Sequence, residues 1–129
     1  MSQQVINTSS QELQRRFGIQ RAYFDSGQTR PGAFRNKQLQ DLKAVIKSAE
    51  ADIIEALKKD FNKPAFETFA SEIGFIYEEL NYTRKHLAAW MKRRKVKTPL
   101  TAWPSQSYIL PQPKGVSLVI GPWNYPFQL

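Results

Sequence analysis

The chain has 129 residues, which is enough for one domain, and its hydrophobic share of 41% indicates a globular protein rather than a disordered one. It contains no cysteine and one histidine, which excludes disulfides, zinc–thiolate sites and a cysteine nucleophile within these residues and predicts no metal site. The net charge of +8 is compatible with binding to nucleic acid, to anionic lipid or to an anionic cofactor.

The first half of the chain predicts three helices. Ser9 and Glu12 form a Ser-x-x-Glu capping box that begins the first helix, and the Ser26–Gly27 pair should end it. Pro31 suits the first turn of a second helix. A shorter helical piece, "ADIIEALKKDF", follows and should end before the breakers in "NKP".

The strongest periodic signal comes next and predicts one long helix from about residue 67 to about residue 94. Its acidic start, with Glu67 and Glu72, and its basic end at 92–95 both complement the helix dipole. The apolar or small residues recur at alternating spacings of four and three, the pattern of a helix face buried along its length. They are Phe69, Ile73, Ile76, Leu80, Thr83, Leu87 and Trp90.

After Lys97 the helical period is lost. "QSYIL" predicts a strand, at a sheet edge because prolines follow closely, and "GVSLVI" predicts a second strand. That second run is apolar on both faces and suits a covered strand of a parallel sheet, whose partner strands the chain does not supply. We therefore expect the front of a longer protein. Its layout is helices at about 9–95, a strand-rich connector at about 98–114, and a first core strand with a motif loop at 115–129.

The segment "GPWNYP" places one amide, Asn124, between two bulky aromatic residues and two prolines. Neighbours of this kind limit the freedom of a polar side chain, which is how a binding group is preorganised. A purely structural turn after a strand uses the same residue type and is the competing interpretation.

The segment "PKGVSLVIGPWNYPFQL" at 113–129 resembles the aldehyde dehydrogenase superfamily, and in particular its class 3, fatty-aldehyde-type branch. Four further segments are similar to that branch in the same order: "FDSGQTR" at 24–30, "RNKQLQDL" at 35–42, "EALKKDFNKP" at 55–64 and "SEIGFIYEEL" at 71–80. The resemblance implies an α/β fold: N-terminal helical segments plus the first strands of a Rossmann-type cofactor domain, incomplete in this chain and without the catalytic domain.

The resemblance also implies a chemistry. In the family, a cysteine thiolate attacks the aldehyde carbon, the oxyanion passes a hydride to NAD or NADP, and a glutamate-activated water hydrolyses the thioester. Asn124 matches the residue that donates its amide to the oxyanion. A donor fixed in advance stabilises the transition state selectively, because charge appears on the oxygen only as the nucleophile adds. The matching cofactor-cleft residues are Ile120, Gly121, Pro122 and Trp123, and those of the aldehyde tunnel are Phe75 and Tyr125.

The same resemblance sets the expected partners. These are an aliphatic or aromatic aldehyde and, in the intact enzyme, a second copy in a homodimer. The polar N-terminus has no apolar signal segment, so a cytoplasmic location is expected, and any membrane anchor would be C-terminal. The nucleophilic cysteine and the glutamate base of the family lie downstream, so the fragment alone is expected to be inactive.

Two other functions compete with this interpretation. One is a catalytically inactive remnant of such an enzyme. The other is a small basic helical module that binds nucleic acid or an anionic membrane through Arg84, Lys85 and the run at 92–97. The module is disfavoured because acidic residues are interleaved with the basic ones and because it gives "WNYP" no purpose.

Overall fold

The computed structural model of the protein describes residues 8–129, which form five α-helices, a π-helical turn, a 3₁₀ turn and two short strands. In chain order the elements are α1 (Ser10–Asp25), α2 (Gly32–Ser48), α3 (Glu50–Phe61), α4 (Ala65–Thr68), the π-helical turn (Phe69–Ile73), α5 (Gly74–Trp90), β1 (Arg94–Val96), the 3₁₀ turn (Leu100–Ala102) and β2 (Ser107–Ile109).

The first three helices begin and end close to the predicted residues. The Ser9 hydroxyl accepts a hydrogen bond from the Glu12 amide at 3.2 Å and caps α1, as the capping box predicts. Gly27, at a φ of +77°, follows the end of α1, and Pro31 lies immediately before α2. Asn62 ends α3 in the left-handed conformation, at a φ of 53°, which asparagine tolerates better than most residues.

The predicted long helix is formed by three elements instead of one. The α4 helix leads into the π-helical turn, and α5 continues from there to Trp90. The predicted end at about residue 94 is wrong: Arg94 begins β1, which pairs antiparallel with β2, so that Arg94 lies opposite Ile109 and Val96 opposite Ser107. The hydrogen bonds of this pairing outweigh the helix-favouring charge pattern at 92–95, because tertiary pairing overrides local propensity.

The hydrophobic core lies between α2, the π-helical turn and α5. Ile46, Ile73 and Leu80 are its buried members. Around them pack six partly buried side chains: Leu39, Ile53, Ile54, Ile76, Tyr77 and Phe127. The last of these belongs to the segment after Asn124, so the C-terminal segment of the chain is fastened to the helical core.

Residues 116–120, predicted as the first core strand, form no strand. Three of their apolar side chains are exposed, Leu118 at 86%, Val119 at 80% and Ile120 at 84%. A strand exists only where a neighbour accepts and donates its backbone hydrogen bonds. Among residues 8–129 the two strands pair with each other, and neither pairs with this segment.

The helices of the described part of the chain are each too short or too polar to span a bilayer.

Candidate functional site

Asn124 lies on the wall of a cleft between the C-terminal segment and the helices. We call residues 121–127 the motif loop and this cleft, of about 390 Å³, the motif cleft. Its other wall is formed by the end of α3, the link to α4, and the π-helical turn. The lining residues are Phe61, Asn62, Lys63, Pro64, Glu67, Glu72, Asn124, Tyr125 and Pro126.

The Asn124 side chain is exposed and makes no hydrogen bond to any residue within 8–129. Its backbone neighbourhood is a turn, in which the Leu129 amide donates to the Tyr125 carbonyl at 3.0 Å. The amide group therefore keeps both of its N–H donors available for a ligand in the cleft.

The most buried charge of the motif cleft is Glu72, which is not among the residues that the sequence predicts for the site. The charge pattern places Glu72 in an acidic helix start, yet its side chain is fully buried in the π-helical turn. One of its oxygens, Oε1, lies 2.5 Å from Nζ of Lys63, and the other, Oε2, accepts the Phe127 amide at 2.9 Å. The helical period does give a signal, because position 72 lies three residues after Phe69 and so on the same face.

The surroundings of Glu72 keep its carboxyl group ionised. Burial raises the pKa of Glu72, but the hydrogen bond from Lys63 and those from the Phe127 and Gln128 amides lower it, and the net pKa falls below its ordinary value. Each carboxylate oxygen has a donor, so this buried charge is compensated rather than isolated.

The motif loop is held at three points. The Phe127 amide is bonded to Glu72, and the Phe127 ring packs against the helical core. The Lys63 ammonium lies 4.6 Å from the centroid of the Tyr125 ring, a cation–π contact. All three contacts lie on the C-terminal side of Asn124, which therefore sits directly beside a fixed segment of backbone.

The four residues predicted to contact the cofactor are exposed and do not line the motif cleft. A Cβ atom on Gly121 would lie 2.6 Å from the Leu129 carbonyl oxygen, so glycine is required there by a close approach of the chain's own backbone. Trp123 offers a flat aromatic face and Ile120 an apolar side chain to a ring of the cofactor, but the two side chains do not enclose such a ring. The described residues thus do not by themselves fit NAD or NADP.

The structure does not bring Phe75 and Tyr125, the predicted tunnel residues, into one pocket. Phe75 lies on α5, is half exposed, and lines a separate cleft of about 420 Å³ with Ile76, Glu79, Leu80, Thr83 and Gln128. Tyr125 lines the motif cleft instead. A shared role in binding an aldehyde stays a prediction.

Comparison with known proteins supplies the context of this site. A model described as the aldehyde dehydrogenase family matches residues 3–129. The 4,4'-diaponeurosporen-aldehyde dehydrogenase of Staphylococcus aureus is 43% identical over 117 residues, which are 91% of this chain and 26% of that protein. A dimeric, NADP-preferring aldehyde dehydrogenase of Canis lupus familiaris is 43% identical over 108 residues, which are 83% of this chain and 24% of that protein.

A solved structure described as the substrate-bound state of Staphylococcus aureus AldH has a TM-score of 0.87 to this chain at 42% identity. The match covers 90% of this chain and 25% of the other. The chain thus spans about a quarter of the length of the relatives that it matches.

Proposed function

The chain belongs to the aldehyde dehydrogenase family and has family 3 members among its relatives, and from this we propose that Asn124 is an oxyanion donor. The protein that carries this segment would oxidise an aldehyde to a carboxylic acid. The observation that carries the proposal is the position of Asn124: an unbonded amide on the wall of a cleft, beside backbone fixed by Glu72 and Phe127.

The proposed role follows from where charge appears during the reaction. When a nucleophile adds to an aldehyde carbon, the carbonyl oxygen gains negative charge, and an N–H donor at that oxygen binds the transition state more strongly than the substrate. An amide can do this at neutral pH without carrying a charge or changing its protonation. The Asn124 amide meets these requirements, since no hydrogen bond within residues 8–129 competes for its protons.

We propose the substrate class from the exposed aromatic side chains and from the name of a relative. Tyr125 and Phe75 each offer aromatic surface to an apolar aldehyde, aliphatic or aromatic, and the staphylococcal relative is named a 4,4'-diaponeurosporen-aldehyde dehydrogenase. Residues 120–123 would contribute to an NAD or NADP site completed by residues outside this chain. Since the canine relative is named as a dimer, a homodimer is our proposal for the intact protein.

The catalytic nucleophile must come from outside the segment, because the chain holds no cysteine. The 129 residues alone should therefore show no aldehyde oxidation. An inactive remnant would share this property, so the decisive measurements use the intact protein.

The test of the oxyanion role is Asn124→Ala in the intact protein, assayed for aldehyde oxidation with saturating substrate. We expect kcat to fall by roughly 10²–10³-fold, the usual result of losing one oxyanion donor. The matched control is Asn81→Ala, because Asn81 is an exposed asparagine of α5 that accepts a hydrogen bond from Lys43 away from the cleft. Near-normal turnover of Asn124→Ala would remove the proposed role.

A further inference from the structure

We propose that Glu72 and Lys63 form a buried ion pair whose function is to position the motif loop, and through it the Asn124 amide. The inference rests on the oxyanion role proposed above. Both residues line the motif cleft, and because we propose that they act through the loop they hold, they are positioning residues rather than catalytic ones.

The contacts of this pair differ from those of the other ion pairs in the described chain. The others join residues three or four positions apart on one helix, and most of their side chains are more than half exposed. Glu72 is fully buried, the Lys63 side chain is 10% exposed, and the carboxylate also binds an amide 55 residues further along the chain. It thus connects the helical core to the motif loop, which an exposed pair within one helix cannot do.

The cost of burying two charges indicates that this pair serves to fix the orientation of the motif loop rather than to add stability. Removing two charges from water carries a large desolvation penalty, so a well-packed apolar pair is often at least as stable as a buried ion pair. A carboxylate, however, fixes direction: Oε1 is held by Lys63, and Oε2 can then accept the Phe127 amide in one orientation only. An apolar side chain would fill the same space without fixing the loop.

The π-helical turn also helps to position the motif loop. A π-helical turn widens the helix by one residue, and such turns are frequent at functional sites. Here the turn buries Glu72 and Ile73 side by side, so that one anchors the motif loop while the other fills the core. The return to α5 is tight, since a Cβ atom on Gly74 would lie 3.0 Å from the Phe69 carbonyl oxygen.

Lys63 adds a second contact to the same loop. Its ammonium group donates to Glu72 and also lies over the Tyr125 ring, and Tyr125 directly follows Asn124. The loop is therefore fixed one residue and three residues after the amide. A misplacement of about 1 Å at a reacting centre can lower a rate by about 10²-fold, so loosening these contacts should lower turnover.

The experiment is Glu72→Gln in the intact protein, alone and combined with Asn124→Ala. The glutamine side chain of this variant has one acceptor oxygen for two donors, so either Lys63 or the Phe127 amide loses its partner. We expect kcat to fall by about 10- to 100-fold with little change in KM. Because Glu72 acts through Asn124, the same change in the Asn124→Ala background should lower kcat by less than about 3-fold.

A second readout does not depend on activity. Amide hydrogen exchange at Phe127 and Gln128 should become faster in Glu72→Gln and stay unchanged in Glu55→Gln. Glu55 is the matched control, because it forms an exposed pair with Lys59 on α3.

A further variant covers the case in which Glu72→Gln fails to fold. Combining Lys63→Met with Glu72→Gln removes both charges, and the oxygen of the introduced amide can still accept the Phe127 amide. We expect slower exchange at Phe127 in this double variant than in Lys63→Met combined with Glu72→Asn, whose shorter side chain cannot reach the loop in the same way.

The outcomes separate the two proposals. Equal losses of kcat from Glu72→Gln in both backgrounds, or unchanged exchange at Phe127, would overturn the positioning role. Normal turnover of Asn124→Ala would overturn the oxyanion role, and the exchange measurement would still decide whether Glu72 fixes the loop.

Discussion

At the scale of single residues, Glu72 links the stability of the fold to pH. Burial raises the pKa of this carboxyl, but the hydrogen bonds from Lys63 and the Phe127 amide outweigh burial and leave the pKa below its ordinary value of 4.5. A carboxyl whose pKa is lower in the folded than in the unfolded state stabilises the fold above its unfolded pKa. That stability is lost as the pH falls through the folded value.

We therefore expect the free energy of unfolding to decrease below about pH 4.5, and to do so more steeply in the wild type than in Glu72→Gln. Urea denaturation at about pH 6 and about pH 3, on either side of that value, would measure both slopes. Glu55→Gln serves as the exposed control. Parallel pH profiles for the wild type and Glu72→Gln would show that this carboxyl does not set the acid sensitivity.

Asn124 and Glu72 show which features of the candidate site can be predicted from the sequence. Asn124 could be chosen as a candidate because its signal is local: two aromatic residues and two prolines surround it within five positions. The partners of Glu72 could not be predicted, because they are residues 63 and 127, and only the folded chain brings these together. Its sequence neighbourhood resembles the acidic first turn of many helices.

At the scale of elements, capping and breaking residues predicted α1, α2 and α3 well, since those signals act within one turn of helix. The predicted helix end failed because a distant partner decides it: the end of α5 and the start of β1 depend on pairing with residues 107–109. Residues 116–120 have no partner strand within 8–129, so their strand stays a prediction for the longer protein. For the same reason, the apolar side chains Leu13 and Phe17 of α1, although correctly placed on a helix, remain exposed.

The π-helical turn leads to a prediction about two helical glycines. Gly18, in α1, has open space where a Cβ would be, so Gly18→Ala should raise the free energy of unfolding by about 0.5–1 kcal/mol through helix propensity. A Cβ atom on Gly74 would lie against the Phe69 carbonyl oxygen at 3.0 Å. We expect Gly74→Ala to be about 0.5–1 kcal/mol less stable than Gly18→Ala, because the crowding cancels the gain in propensity.

Chemical denaturation of the two variants beside the wild type makes this comparison, and each variant serves as the other's control. Equal stabilisation by both substitutions would mean that the π-helical turn relaxes to a regular helix without loss.

At the scale of the whole molecule, the predicted fold class is confirmed: the chain matches a solved aldehyde dehydrogenase with a TM-score of 0.87, and its helices precede a short sheet. The resemblance to the class 3 branch is also confirmed, since family 3 members are among the relatives. Composition and periodicity alone predicted only a helical domain with some strands. The family became visible through five short segments whose order along the chain matched.

The helical core is small, and one residue joins its parts. Ile73 is fully buried in one cluster with Ile46 of α2 and Leu80 of α5, and Phe127 of the motif loop packs against that cluster. Truncating such a side chain removes its buried surface and leaves a cavity that the surroundings fill only in part. Truncating Ile73 should therefore weaken the packing of both the helices and the motif loop.

We expect Ile73→Ala to lower the free energy of unfolding by about 2–5 kcal/mol and to speed amide exchange at Phe127. Phe66→Ala is the control, because Phe66 is 84% exposed on α4 and its loss should change stability by no more than about 0.5 kcal/mol. Denaturation and exchange on the same samples would measure both effects. A destabilisation with unchanged exchange at Phe127 would mean that the loop is held by Glu72 and Lys63 without help from the core.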